Sequence, residues 1–153
     1  KIGFVDNGTV INDYQEKKDV EAAFQLKEDA FRKRADSISI AFQTEAQKVQ
    51  TEAQRIARSN RKKAEELIGG LQQKQQQLQQ QMQAEQQQLT QAFQAEIDSV
   101  IVNVKGFVKD YGKANGYNYI LGTSDAAATV MYGDDENDLT QTILEALNAD
   151  YKK

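Results

Sequence analysis

Five cations crowd into one short stretch of the chain, Arg55, Arg58, Arg61, Lys62 and Lys63. Such a cluster can draw in acidic polypeptide or lipid headgroups, and it equally suits a solvated turn kept soluble by its charge. Far downstream, "GDDENDL" sets Asp134, Glu136 and Asp138 two residues apart. The likeness to a calcium loop is faint, because the glycine and the distal Glu of such a loop are missing. Acids gathered at a helix N-terminus, where the dipole favours them, are the better reading. A phosphate loop fails in "GFVKDYGKA": one residue too many separates Gly106 from Gly112, and Ala114 stands where Ser or Thr would hold magnesium. Asn7, Gly8 and Thr9 match a glycosylation sequon, but a turn closing an opening strand is the stronger reading. The chain has no Cys and no His, which removes thiol nucleophiles, disulfides and the commonest metal ligand together. Neither catalysis, nor a metal, nor a cofactor is expected.

The elements that carry these residues show in the periodicity. Phe24, Phe31 and Ile38 are seven apart, and Ala35, Phe42, Val49 and Ile56 form a second row with the same step. This is a heptad seam. A second seam runs through Ala64, Leu71 and Leu78 and through Ile68, Met82 and Leu89, and reaches Phe93. It crosses a stretch so rich in Gln that disorder would be the compositional reading, but disordered tracts have no reason to hold a period, and Gln is a good helix former. Counting in sevens from Phe42, Val49 and Ile56 leads to Lys63 and Gly70, off the second seam, so the register slips between Ile56 and Ala64. "ARSNRKK", residues 57–63, is therefore the preferred turn; Gly69 and Gly70 are the rival site, because a glycine inside a helix costs about 1 kcal/mol against Ala. The four Phe residues Phe24, Phe31, Phe42 and Phe93 belong to the seam by phase, with exposure to a cavity as the alternative. The second leg ends in a wider apolar face, Ile97, Val100, Ile101, Val104, Phe107, Val108 and Tyr111, which must pack on more than a partner helix.

The ends read differently. "KIGFVDNGTVI" alternates as a short strand does, with Ile2, Phe4 and Val10 apolar and a turn or bulge at Asn7 and Gly8. Gly112, Asn115 and Gly116 stop the second leg, "YNYIL" and "ATVMYG" are two strands joined through "SDAA", and "DLTQTILEALNADYKK" is a last helix with Asp138 as N-cap, Gln141 at the capping-box position and Leu139, Ile143, Leu144 and Leu147 as its apolar face. The fold class is mainly α with a small β body: strand, long helical hairpin, two strands, helix. Residues 1–18 and 112–153 make the body and residues 19–111 an antiparallel coiled-coil hairpin with its tip near 57–63. Candidates for the core of the body and of its self-assembly are Ile2, Phe4, Val104, Val108, Tyr119, Leu121, Val130 and Tyr132. Three strands with open edges are marginal alone. The net charge of -4 and pI near 5.0 argue against a nucleic-acid partner. No apolar run approaches a membrane span. The chain begins at Lys1 rather than Met, as it would after removal of a targeting segment or after trimming.

"KIGFVD", the long Gln- and charge-rich region, "NGYNYILGTSD", "TVMYGDDENDLT" and "ILEALNADYKK" together resemble the Skp/OmpH family of periplasmic outer-membrane-protein chaperones, through essentially the whole chain. The specific residues lie at the ends: Gly116 with Tyr117, Val130 with Met131 and Tyr132, Asp138 with Leu139 and Thr140, and Leu147 with Asn148. The resemblance implies a homotrimer of tentacled subunits around a central β body. Its cavity holds unfolded outer-membrane β-barrel proteins without ATP, and its place is the periplasm. Well-known members are strongly basic whereas this chain is acidic, so binding of lipopolysaccharide or anionic membrane is not carried over. A structural coiled-coil scaffold or spacer is the alternative reading of the same helices.

Overall fold

The computed structural model describes residues 1–127 and 129–153. In chain order the elements are β1 (Ile2–Asp6), α1 (Asn7–Asp13), α2 (Gln15–Ile56), α3 (Arg61–Ala114), β2 (Tyr119–Thr123) and α4 (Thr140–Tyr151), with a short 3-10 turn at Asp135–Asn137. Contacts divide the chain into two compact units, one of Lys1–Phe24 with Ala92–Lys153 and one of Gln25–Gln91.

The first unit is built on two parallel strands, Ile2 opposite Tyr119 through Asp6 opposite Thr123. Parallel strands need a long crossover, and here α1, α2 and α3 supply it. β1 is the central strand: on its other edge Asp138 bridges to Phe4, and the Leu139 N–H donates to the Phe4 carbonyl at 2.8 Å. The buried face of β1 is Gly3 and Val5, not Ile2 and Phe4, the reverse of the parity expected from the apolar alternation. Gly3 is required there, since a Cβ at that position would lie 2.5 Å from Leu139 Cδ1. Asn7 and Gly8 likewise form no turn; they open α1, because the Asp6 carboxylate accepts from the Thr9 N–H at 2.8 Å and caps the helix. That helix delivers Val10 and then Tyr14 to a core completed by Val5, Val100, Val104, Leu139, Ile143 and Leu147.

Tyr14 is in extended conformation and separates α1 from α2, which therefore starts at Gln15, earlier than the change of period near Asp19 suggests. The break frees the Gln15 N–H, and Asn148 of α4 accepts it at 2.8 Å. α4 buries Ile143, Leu144 and Leu147, the face expected for it. Its start is capped from one residue further out than a simple N-cap: Asp138 Oδ1 accepts from the Thr140 N–H at 2.9 Å and from its hydroxyl at 2.6 Å. The reciprocal bond expected from Gln141 is replaced by the Asp135 carbonyl, which accepts from the Asp138 N–H at 3.1 Å, while the Thr140 hydroxyl accepts from the Asp6 N–H at 2.9 Å and ties α4 to β1.

The second strand expected after the hairpin, "ATVMYG", is not formed. Ala128 lies outside the described residues, and residues 129–133 are irregular, with Met131 89% and Tyr132 84% exposed. No hairpin is closed through "SDAA", because β2 spends its inner edge on β1 and the chain then leaves toward the far side of β1, where Gly133 rests against the Phe4 ring. Among the described residues the sheet therefore has two strands, not three.

The second unit is a helical hairpin. Its two legs pair antiparallel, with ion pairs from Arg34 to Glu85 and from Lys74 to Glu45. Phe31, Ala35, Ile38, Phe42, Val49 and Ile56 on one leg and Leu71, Leu78, Met82 and Leu89 on the other are all half-buried, while their neighbours are exposed. The Gln-rich stretch is helical throughout, and Gly69 and Gly70 lie inside α3. The chain reverses over residues 57–60. Asn60 there caps α3, its side-chain oxygen accepting from the Lys63 N–H at 3.1 Å.

Candidate functional site

The chemistry-bearing residues fall on three surfaces. The first is the hairpin turn. Arg55, in the last turn of α2, bonds Glu52 through Nε at 3.0 Å and through a terminal nitrogen at 2.5 Å, and Arg61 meets Glu65 at 3.1 Å. These pairs are local and exposed, and the Glu52 carboxyl is held below its ordinary range by its bonds from Arg55. Among the described residues Arg58, Lys62 and Lys63 form no ion pair. Arg55 and Arg58 sit at a helix C-terminus, where the dipole welcomes cations, but Arg61, Lys62 and Lys63 occupy the first turn of α3, which contains no acid. Cations at a helix N-terminus oppose the dipole, so stability does not explain these three.

The second surface is the seam. Phe24 and Phe93 stack at 4.2 Å between centroids with 24° between planes, in the first unit. In the second unit the Arg34 guanidinium lies 5.7 Å from the centroid of the half-buried Phe31 ring. The aromatics are seam residues, yet the seam is so narrow that all of them keep one side accessible. Beside Phe31, Arg34, Glu85 and Leu89 a shallow depression of about 440 Å³ opens on the legs, and near the turn Ala53 and Ala64 bring the helices close beside another of about 770 Å³. Apolar and charged groups alternate along these faces. Leu26 and Ile40 point away from the seam altogether.

The third surface belongs to the body. Of the core candidates read from the sequence, Val104 is buried, and Phe4, Val108 and Val130 are half-buried. Ile2, Tyr119, Leu121 and Tyr132 are exposed, so they are no part of the core of a single chain. They lie on the outward parity of β1 and β2 and on the irregular segment after β2. Val5 and Tyr14 fill the core and were not singled out, and Val10, read as part of the opening strand, reaches it from α1 instead; the signal for that helix was the i, i+4 spacing of Val10 and Tyr14 behind a capping Asp6. The Tyr14 hydroxyl titrates well above its usual value, through burial first and the neighbouring Glu16 carboxylate second. Its ring meets Tyr151 edge-on at 5.9 Å, and the Tyr151 hydroxyl donates to Asp19 at 2.8 Å.

The acidic stretch holds no cation cage. Asp134 caps the 3-10 turn, Asp138 caps α4, and no group of acids among the described residues could hold a metal ion. Among the described residues no helix is long and apolar enough to cross a membrane. Asn7 of the sequon lies in the first turn of α1 with its side chain against Gly122.

Comparison with protein families matches residues 1–147 to the family described as Outer membrane protein (OmpH-like). No curated protein matches the chain.

Proposed function

The chain belongs to the OmpH-like outer membrane protein family, and from that premise we propose that it is an ATP-independent holdase which keeps unfolded outer-membrane β-barrel proteins from aggregating in the periplasm. The family match supports a chaperone role for outer membrane proteins rather than an enzymatic one. The observation that carries the finer reading is the helical hairpin, whose apolar seam is half-buried along both legs and interleaved with charges. Such a surface offers an unfolded chain many weak apolar and ionic contacts with none individually decisive. An unfolded β-barrel protein suits it, since its strands alternate apolar and polar residues and its apolar half aggregates unless shielded.

The exposed apolar residues of the body, Ile2, Tyr119, Leu121 and Tyr132, support self-assembly into a homotrimer. The hairpins of three copies would then enclose one client in a common cavity. Exclusion of the client from other unfolded chains is the mechanism; it needs neither nucleotide nor cofactor. The basic cluster at the turn adds local attraction for acidic groups, and with the acidic balance of the whole chain nothing favours nucleic acid as a partner.

The test is light scattering of an outer-membrane β-barrel protein diluted out of denaturant. Near-stoichiometric amounts of the trimer suppress aggregation if the reading is right. A folded protein with no effect would leave a coiled-coil scaffold as the better account.

A further inference from the structure

A groove of about 530 Å³ lies between β2 and the C-terminal turns of α3, within the first unit. Its floor is apolar: Val5, Val10 and Val104 are buried there, and Val108 and Ile120 are half-buried. Two close contacts flank it. At Gly112 the helix comes so near the strand that a Cβ would lie 3.2 Å from Ile120 Cδ1, and at Gly122 the Asn7 side chain takes the space a Cβ would need. The volume falls within the range of small-molecule sites, about 300–1,000 Å³.

Along one wall Lys105, Lys109 and Lys113 follow one another at four-residue spacing on α3. Residues four apart share a helix face, so the three side chains form one row, about 12 Å long over eight residues. All three are exposed, and among the described residues none forms an ion pair. None of the described residues lining the groove is an acid, although the chain as a whole carries a net charge of -4. The dipole of α3 favours a cation in its last turn and so accounts for Lys113, but its effect fades before Lys109 and Lys105 are reached. Like charges four apart destabilise a helix, so the row costs α3 stability rather than adding to it.

A row of positive charge beside an apolar floor complements an acyl chain that ends in an anion. The lysine stems extend the apolar wall while their ammonium groups stay at the rim. No arginine among the described lining residues could grip a phosphate on two sides, so a single carboxylate suits the row better. We infer that the groove is a binding site for a free fatty-acid anion, with its chain along Val104, Val108 and Ile120 and its carboxylate among the three ammonium groups. The site is separate from the hairpin seam, and the holdase reading stands or falls without it.

Calorimetric titration of the full chain with laurate, below its micelle concentration, tests the site. Laurate binds, whereas dodecanol, which lacks the charge, and acetate, which lacks the chain, bind at least about tenfold more weakly. Each methylene removed from the chain weakens binding by up to about fourfold. The K105Q/K109Q/K113Q variant loses at least about tenfold in affinity, and what remains no longer depends on salt. Val108→Trp fills the groove and loses binding with all three charges in place. Circular dichroism checks that both variants fold. In methyl NMR spectra laurate shifts Val104, Val108 and Ile120 and leaves Leu71, Leu78 and Leu89 of the hairpin unmoved. Laurate that bound the lysine variant as tightly as the parent, or shifted the hairpin leucines instead, would overturn the inference by placing the ligand on the seam. Absence of binding, or dodecanol binding as tightly as laurate, overturns it as well. So does capture of phosphatidylglycerol vesicles through the same three lysines without uptake of laurate, which would make the row a membrane contact. Suppression of aggregation is read separately by light scattering, and none of these outcomes changes it.

Discussion

Gly69 and Gly70 interrupt a helix that has no steric need of them. Both lie inside α3 and are exposed, and a Cβ built at either would meet nothing within 4 Å. Glycine in a helix interior costs about 0.8–1.0 kcal/mol against Ala, so the G69A/G70A variant gains about 2 kcal/mol of hairpin stability. At roughly 2–4 °C per kcal/mol for a chain of this size, its thermal midpoint rises by about 4–8 °C. Circular dichroism at the helix band measures the midpoint, and amide exchange at the neighbouring Ile68 and Leu71 measures the local effect. Slower exchange there, with no change in β1 or α4, would place the gain in the hairpin. Since α3 is more stable without the pair, its retention makes sense if the legs must bend to fit clients of different size; the stiffened variant then protects small β-barrel clients as before and large ones less well. An unchanged or lowered midpoint would refute the argument, because it would mean the glycines satisfy a backbone or packing demand that open space around them denies.

Other outcomes follow from single contacts. Asn148→Ala leaves the part-buried Gln15 N–H without its acceptor at the break between α1 and α2, and costs about 1–3 kcal/mol in urea denaturation. Tyr14 loses its proton at a higher pH in the folded chain than in the unfolded one, where it titrates near 10, so unfolding releases a proton and stability falls as pH climbs above about 10. Tyr14→Phe removes that share, and its thermal midpoint drops less between pH 9 and pH 11 than that of the parent. If the proposed function holds, replacing Arg55, Arg58, Arg61, Lys62 and Lys63 by Gln abolishes any co-sedimentation with anionic vesicles while suppression of aggregation survives; a folded variant that no longer suppressed aggregation would show that clients are captured by charge at the turn.

The hairpin was legible because its demand on the sequence is periodic and local. Each of Phe31, Phe42, Val49, Leu71, Leu78, Met82 and Leu89 is placed by its distance from the next, and a slip between Ile56 and Ala64 can be counted without knowing the fold. α1 was not legible in the same way. Asn7 and Gly8 read as a turn in isolation, and only the bond from Thr9 to Asp6 turns them into the first turn of a helix. The parity of β1 was hidden for a related reason. A five-residue strand with Ile2, Phe4 and Val5 apolar fits either face, and the choice falls to Leu139, which presses on Gly3 and leaves Ile2 outside. At the tip, the cations were visible as a cluster, but that three of them oppose the dipole of α3 could be seen only once Asn60 was fixed as its cap.

The residues after β2 pose the sharpest case, because β-branched and aromatic side chains at 129–132 carry strand propensity and yet form no strand. Strand propensity is a statement about packing on a pleated surface, and it is realised only where an unpaired edge is within reach. β1 has no edge to spare, since β2 takes one side and Asp138 with Leu139 takes the other. The outer edge of β2 is open, but the chain turns away from it, anchored by Thr129 at Gly122 and by Gly133 at Phe4. A solitary chain would therefore expose Met131, Tyr132 and an open edge together, the combination that natural sheets cover. Residues 129–132 thus carry the composition of a strand without an edge to pair with, and the count of strands read from the sequence exceeds the two that this chain forms among its described residues.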